Sequence, residues 1–184
     1  MKEIKEHIIY KQLNSQYDRI ALDYVIMSTD TDYEGVITHK NAIIEAFQIL
    51  NTRNTDCGEC DYTMTLEEDK MKSFPSSMEE LLQLPESDYY DNRLKKNRAY
   101  SRVTPMPYWY AFLEPPHGNT YLKKDFIAFN TLLFPNKNYC EVYRWNDEFS
   151  DYFDAGKEWW GTGLWSVYDH STELIVIIGA SLTD

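Results

Sequence analysis

Nowhere in this chain do apolar residues run for the roughly 20 positions that a membrane-spanning helix needs. The opening Met1-Lys2-Glu3-Ile4-Lys5-Glu6 is charged throughout and lacks the apolar core of a secretion signal, so the expected location is the cytoplasm. Cysteine is scarce: three residues, an odd number, give no disulfide framework. The seven glycines are scattered, with no Gly-rich phosphate loop, no Gly-x-Ser-x-Gly elbow and no His-Glu-x-x-His metal helix. Positive charge is also short. Against 30 acidic residues stand 18 basic ones, giving a net charge of -12 and a pI near 4.7. Nucleic acid and anionic membrane, both polyanions, are poor partners for such a chain.

Rings are plentiful. Hydrophobic content of 43% and aromatic content of 15%, with 15 tyrosines, describe a packed globule. Tyrosine buries a ring and keeps a hydroxyl wet, which serves a polar-rimmed core or an interaction surface equally well. A length of 184 residues is read as one domain, 1–184, with the stretch 52–74 as its most flexible region.

The last quarter organises the rest. From Tyr139 to Trp145 the chain alternates, with Tyr139, Glu141, Tyr143 and Trp145 on one face and Cys140, Val142 and Arg144 on the other, the period of a strand. Thr162–Asp169 alternates again. Leu174-Ile175-Val176-Ile177-Ile178 is apolar on both faces and predicts a central strand, joined to its predecessor by the turn Asp169-His170-Ser171-Thr172.

Earlier in the chain, periodicity predicts helices. Ile4, Ile8 and Leu13 mark a short one; Tyr17, Ile20, Ala21, Tyr24 and Val25 recur at helical spacing over 15–28. Thr38 is placed to cap a third, with Ile43, Ala46, Phe47 and Leu50 on its buried side. Ser76 and Glu79 form a capping signature before Leu81, Leu82 and Leu84. Tyr108–Leu113 reads as a strand, and Leu122, Phe126, Phe129 and Leu133 as a helix ending before Pro135. The expected fold is therefore α+β: N-terminal helices packed on a mainly antiparallel sheet of about four strands from the C-terminal half.

Chemistry is thin. Cys57-Gly58-Glu59-Cys60 has the spacing of half a zinc site, but the other half is missing unless Cys140, His39 or His117 completes it through space. Metal and cofactor are accordingly expected to be absent, with Cys57 and Cys60 as weak candidates. Arg93-Leu94-Lys95-Lys96-Asn97-Arg98, flanked by Tyr89, Tyr90 and Tyr100, is the one basic cluster and reads as a solvated segment more readily than as a strand-binding patch. The segment Leu84-Pro85-Glu86-Ser87-Asp88-Tyr89 is similar to a short stretch of SUKH-type immunity proteins. The Asn-Gly-Gly that follows in them is missing here, and so few residues imply neither fold nor function.

The most function-like feature is acidic. From Tyr139 to Asp184 the chain carries nine acidic and two basic residues. A helix over 146–157 would set Asp147, Asp151 and Asp154 on one face, extended by Glu158 and bordered by Trp159 and Trp160. Like charges at that spacing repel by a few tenths of a kcal/mol per pair, so they do nothing for the helix itself. The expectation is a non-enzymatic acidic module whose partner surface, Asp147, Asp151, Asp154, Glu158, Trp159 and Trp160, masks a basic protein, with an immunity or inhibitor protein as one type case. The alternative is a small-ligand or carbohydrate-handling protein, a hydrolase in its strongest form, that uses the carboxylates and tryptophans of 147–165.

Overall fold

Six strands form one antiparallel sheet: β1 (Lys2–Glu3), β2 (Asp23–Ser28), β3 (Ser73–Ser76), β4 (Cys140–Trp145), β5 (Thr162–Asp169) and β6 (Leu174–Ser181), in the order β1-β2-β6-β5-β4-β3. The structure is a computed structural model that describes residues 1–57, 63–92, 105–158 and 160–182. Within these lie α1 (Ile8–Leu13), α2 (Val36–Cys57), α3 (Met78–Leu81), α4 (Tyr89–Asn92), α5 (Tyr108–Leu113), α6 (Lys123–Leu133) and α7 (Asp154–Lys157).

The class is α+β as expected, with more strands. β6 is central, paired to β5 through Trp165↔Ile178 and to β2 through Val25↔Ile177. Its two apolar faces are both covered. One layer holds α2, whose Ala42, Ile43, Ala46, Phe47 and Leu50 pack on Val25, Met27, Ile175 and Ile177. On the opposite side, Ile9 of α1, Phe112 of α5 and Phe126, Phe129 and Leu133 of α6 pack on Tyr24, Ile26, Val167, Val176 and Ile178. Each fully buried phenylalanine contributes about 2–3 kcal/mol.

Two sequence expectations fail for one reason. The segment 15–28 is not a helix; from Asp23 it is β2. Tyr24 and Ile26 face one layer and Val25 and Met27 the other, so a strand buries all four, whereas a helix would turn part of that set outward. Tyr108–Leu113 is the converse. It is a helix, α5, five of whose six residues are buried, because it lies inside a layer with apolar neighbours all round.

Smaller differences are local. α2 starts at Val36 after Gly35 (φ 61°), and Thr38 Oγ1 accepts a hydrogen bond from Glu34 N at 2.8 Å from inside the first turn. The capping box of α3 is Ser77 with Glu80, one residue later than read. α6 matches its prediction, with Asp125 reaching back to Leu122 N at 2.8 Å. Of the stretch 52–74, residues 52–57 finish α2, while 63–72 run beside 146–151 and lead into β3.

The single helix expected over 146–157 does not form. In its place are an extended turn, a 3-10 turn at Asp151–Phe153 and the one-turn α7. Phe149 and Phe153 are pulled fully into the α2 layer, which fixes the path of the backbone between them. Gly156 lies against the Gly161 carbonyl and Ser181, where no Cβ fits.

Candidate functional site

The predicted acidic row is taken apart by this path. Asp147 accepts from Thr162 Oγ1 at 2.5 Å, and Asp151 accepts from Thr65 N at 2.8 Å. Asp154 is exposed and paired to Lys157 at 3.5 Å; Glu158 is exposed. Trp160 is core: only 2% exposed, it donates from Nε1 to the Glu114 carbonyl at 2.8 Å. Trp159, Cys60 and the basic cluster 93–98 lie outside the described residues, and Cys57 is the last residue of α2.

Asn146 stitches the neighbouring strap. Its Oδ1 accepts from Lys72 N at 2.8 Å and its Nδ2 donates to the Lys70 carbonyl at 3.0 Å. The strap brings its own lysines. Lys70 pairs with Glu67, Lys72 with Glu148, and Lys40 of α2 with Glu68, all within 4.0 Å. Four acid–lysine pairs, counting Asp154–Lys157, therefore neutralise much of this region.

A different cluster gathers at the opposite end of the sheet, where the β5–β6 hairpin, the start of β4 and the loop before α2 meet. Tyr33 stacks on Tyr168 with centroids 4.3 Å apart and planes at 13°. His39 meets Tyr33, Tyr143 and Tyr168 edge-on, and His170 meets Tyr33 and Tyr168 in the same way. Alternation on β4 puts Glu141 and Tyr143 on this face, as the sequence indicated.

A hydrogen-bond row runs through the rings. Trp145 Nε1, a donor only, meets Ser166 Oγ at 2.8 Å; Ser166 Oγ lies 2.8 Å from His39 Nδ1; His39 Nε2 lies 3.0 Å from the Tyr33 hydroxyl. Tyr33 donates its hydroxyl proton in a hydrogen bond to the Glu141 carboxylate, so the row is satisfied by the neutral tautomer in which His39 Nε2–H donates to the Tyr33 oxygen and Ser166 donates to Nδ1. Burial lowers the His39 pKa to about 4, against the pull of Glu141. Burial and the adjacent Glu141 carboxylate hold the Tyr33 phenol far above its ordinary value. At Glu141 burial acts upward, but hydrogen bonds from Tyr33 and Tyr143 outweigh it and the pKa falls. Tyr143 donates to Glu141 Oε1 at 2.9 Å, and His170 Nε2 lies 3.6 Å from Oε2.

Serine beside histidine invites a nucleophile reading, but Ser166 is 0% exposed and its oxygen already accepts from Trp145. No acyl group reaches it there; the row is a lock. Cys140 is not activated either, since burial raises its thiol to about 11. The zinc candidates are committed apart from one another: His39 to Ser166 and Tyr33, His117 to the Arg19 carbonyl, Cys140 to the Asn136 carbonyl. No group of three or more His, Cys, Asp or Glu suited to a metal exists among the described residues.

What surrounds the rings is negative. Asp30, Asp32, Glu34 and Glu173 are exposed, and Glu141 is partly so. Thr29 N bonds the Glu173 carbonyl, which ties the loop to the hairpin. Among the described residues, the groups that reach these carboxylates within 4.0 Å are the N-terminal ammonium, 3.3 Å from Asp30, and His170, which counts only when protonated. Lys2, opposite Ser28, and Lys137, just before β4, flank this end and make no ion pair among the described residues. Tyr139 is 63% exposed beside it, and Ile37 projects from the first turn of α2.

No helix among the described residues is long and apolar enough to cross a membrane. No family model, no curated protein and no solved structure matches the chain.

Proposed function

We propose that this chain is a non-enzymatic binding module that takes up a cationic segment of a protein partner, and that it does so at the ring-lined end of the sheet. The observation that carries the reading is the imbalance of charge: among the described residues Asp32, Glu34 and Glu173 have no cationic group within 4.0 Å, Asp30 has the N-terminal ammonium and Glu141 has His170, while Glu67, Glu68 and Glu148 of the strap region have lysines of their own. Tyrosine rings beside exposed carboxylates are suited to lysine and arginine, since the face of a ring attracts a cation and the carboxylate takes the hydrogen bonds. The lock beneath holds Tyr33 and Glu141 in place before any partner arrives, so little ordering entropy is lost on binding. An inhibitor or immunity protein that covers a basic enzyme is one form such a module takes.

The test is NMR titration of the full chain with a Lys/Arg-rich peptide at low and at 0.5 M salt. Shifts confined to Tyr33, Tyr143, Tyr168 and His170 and abolished by salt support the reading. Shifts spread equally over Glu67–Lys72 and Asp154–Glu158 would reduce it to non-specific attraction and sink it.

A further inference from the structure

At the other end of β4 and β5 a cleft of about 230 Å³ is lined by Phe74, Met106, Arg144, Trp145, Asp147 and Thr162, among others. Most of its polar side chains are committed. Asn146 holds the strap, Thr162 donates to Asp147, and Glu80 of the adjoining groove closes the α3 capping box. Trp145 directs its N–H away, to Ser166.

Two groups keep unused capacity. Arg144 has its guanidinium over the Phe74 ring, 5.1 Å from the centroid, and makes no ion pair among the described residues. Asp147 bonds Thr162 through Oδ2, which leaves Oδ1. Opposite charges lining one cleft attract, yet these two do not come within the 4.0 Å of an ion pair. A cation–π contact holds one and a hydroxyl holds the other. The cleft thus offers a planar cationic fork and a carboxylate, separated, over an apolar wall. Gly163 adds no side chain to the floor, where a Cβ would collide with the Trp165 ring.

We propose that this cleft binds a small zwitterion of the amino-acid class, with its carboxylate on Arg144, its ammonium on Asp147 and an apolar side chain against Phe74 and Met106. A guanidinium held over a ring by cation–π attraction makes no hydrogen bond to it and keeps its N–H groups for bidentate bonds to a carboxylate. A plain anion would be repelled by Asp147 and a plain amine by Arg144; a molecule with both charges satisfies both. Sites for drug-sized ligands measure roughly 300–1,000 Å³, so this smaller volume selects a single amino acid over a longer peptide. The site is at the far end of the sheet from the proposed partner surface and stands or falls separately from it.

Calorimetry on the full chain with free leucine, methionine and phenylalanine, each beside its N-acetyl and its amide derivative, tests the assignment. Expected is saturable binding of at least one free amino acid, weakened tenfold or more in both of its derivatives. Arg144→Gln should abolish the heat, and Arg144→Lys should retain part of it. Derivatives that bind as well as the parent, or no saturable heat from any of the three amino acids, would overturn it. Should Arg144→Gln fail to fold, the derivative series on the unaltered chain still decides.

Discussion

Two acidic regions of this molecule look alike in the sequence and are built in opposite ways. In the strap and turn around residues 65–72 and 146–158, most carboxylates are bonded to backbone (Asp151), to Thr162 (Asp147) or matched by Lys40, Lys70, Lys72 and Lys157. The ring-lined end holds Asp30, Asp32, Glu34, Glu141 and Glu173 around a fixed cluster of tyrosine and histidine. Local acid density therefore says little about local field. What matters is which lysines the fold brings within a few ångströms, and that is decided by chain segments far apart in sequence. Screening sharpens the contrast, because beyond about 10 Å at 0.1 M salt unpaired charges are largely hidden.

The largest expected effect concerns the lock. His39 is faced by Ser166, Tyr33, Tyr143, Tyr168, Glu141 and His170, and in the fold it takes up a proton only near pH 4, against an ordinary 6.5. The unfolded chain binds that proton first. Stability should accordingly fall as pH drops from 6.5 towards 4, by about 3 kcal/mol. Glu141, lowered in the fold, gives stability above 4.5 that is lost as pH falls below it. Asp23, raised by burial, acts oppositely above 3.8. Urea unfolding of His39→Asn isolates this histidine: the slope between pH 6.5 and 4.5 should shrink to the part left by His7, whose pKa burial also lowers. An unchanged slope would show that the lock does not titrate as described.

Next is binding. Reversing Asp32, Glu34 and Glu173 to lysine should weaken a Lys/Arg-rich peptide tenfold or more at low salt, because among the described residues these charges have no lysine to release. The same reversal at Asp154 and Glu158 should change it less than about twofold, in keeping with exposed pairs worth about 0–1 kcal/mol. Equal losses from both sets would erase the distinction between the regions.

A smaller effect tests the strap. Asn146→Ala removes the two bonds to Lys70 and Lys72 and should cost about 1 kcal/mol in urea unfolding. Peptide binding at the far end should be unmoved by it.

Much of the fold was legible and little of the site was. Alternation over 140–145 and 162–169 and the two-sided run at 174–178 gave the hairpin and its central strand, because strand period survives in any context. Tyr24–Met27 misled because four apolar residues in succession satisfy a helical template as well as a strand buried on both sides. Tyr108–Leu113 misled in the reverse direction. The site draws on Tyr33, His39, Glu141, Trp145, Ser166 and His170, which no spacing rule connects. The partial signal was the shared face of Glu141, Tyr143 and Trp145, but the histidine that meets them arrives on a helix a hundred residues earlier.

β2 pairs with β6 across about 150 residues, Val25 against Ile177. During synthesis, then, an early segment that is greasy on both sides leaves the ribosome long before its permanent neighbour has been made. Closing such a long loop is slow, and the waiting strand is a hazard for aggregation throughout translation. Nascent chains halted before residue 174 should remain open to protease across 23–28, and emergence of 174–181 should seal that region in one step.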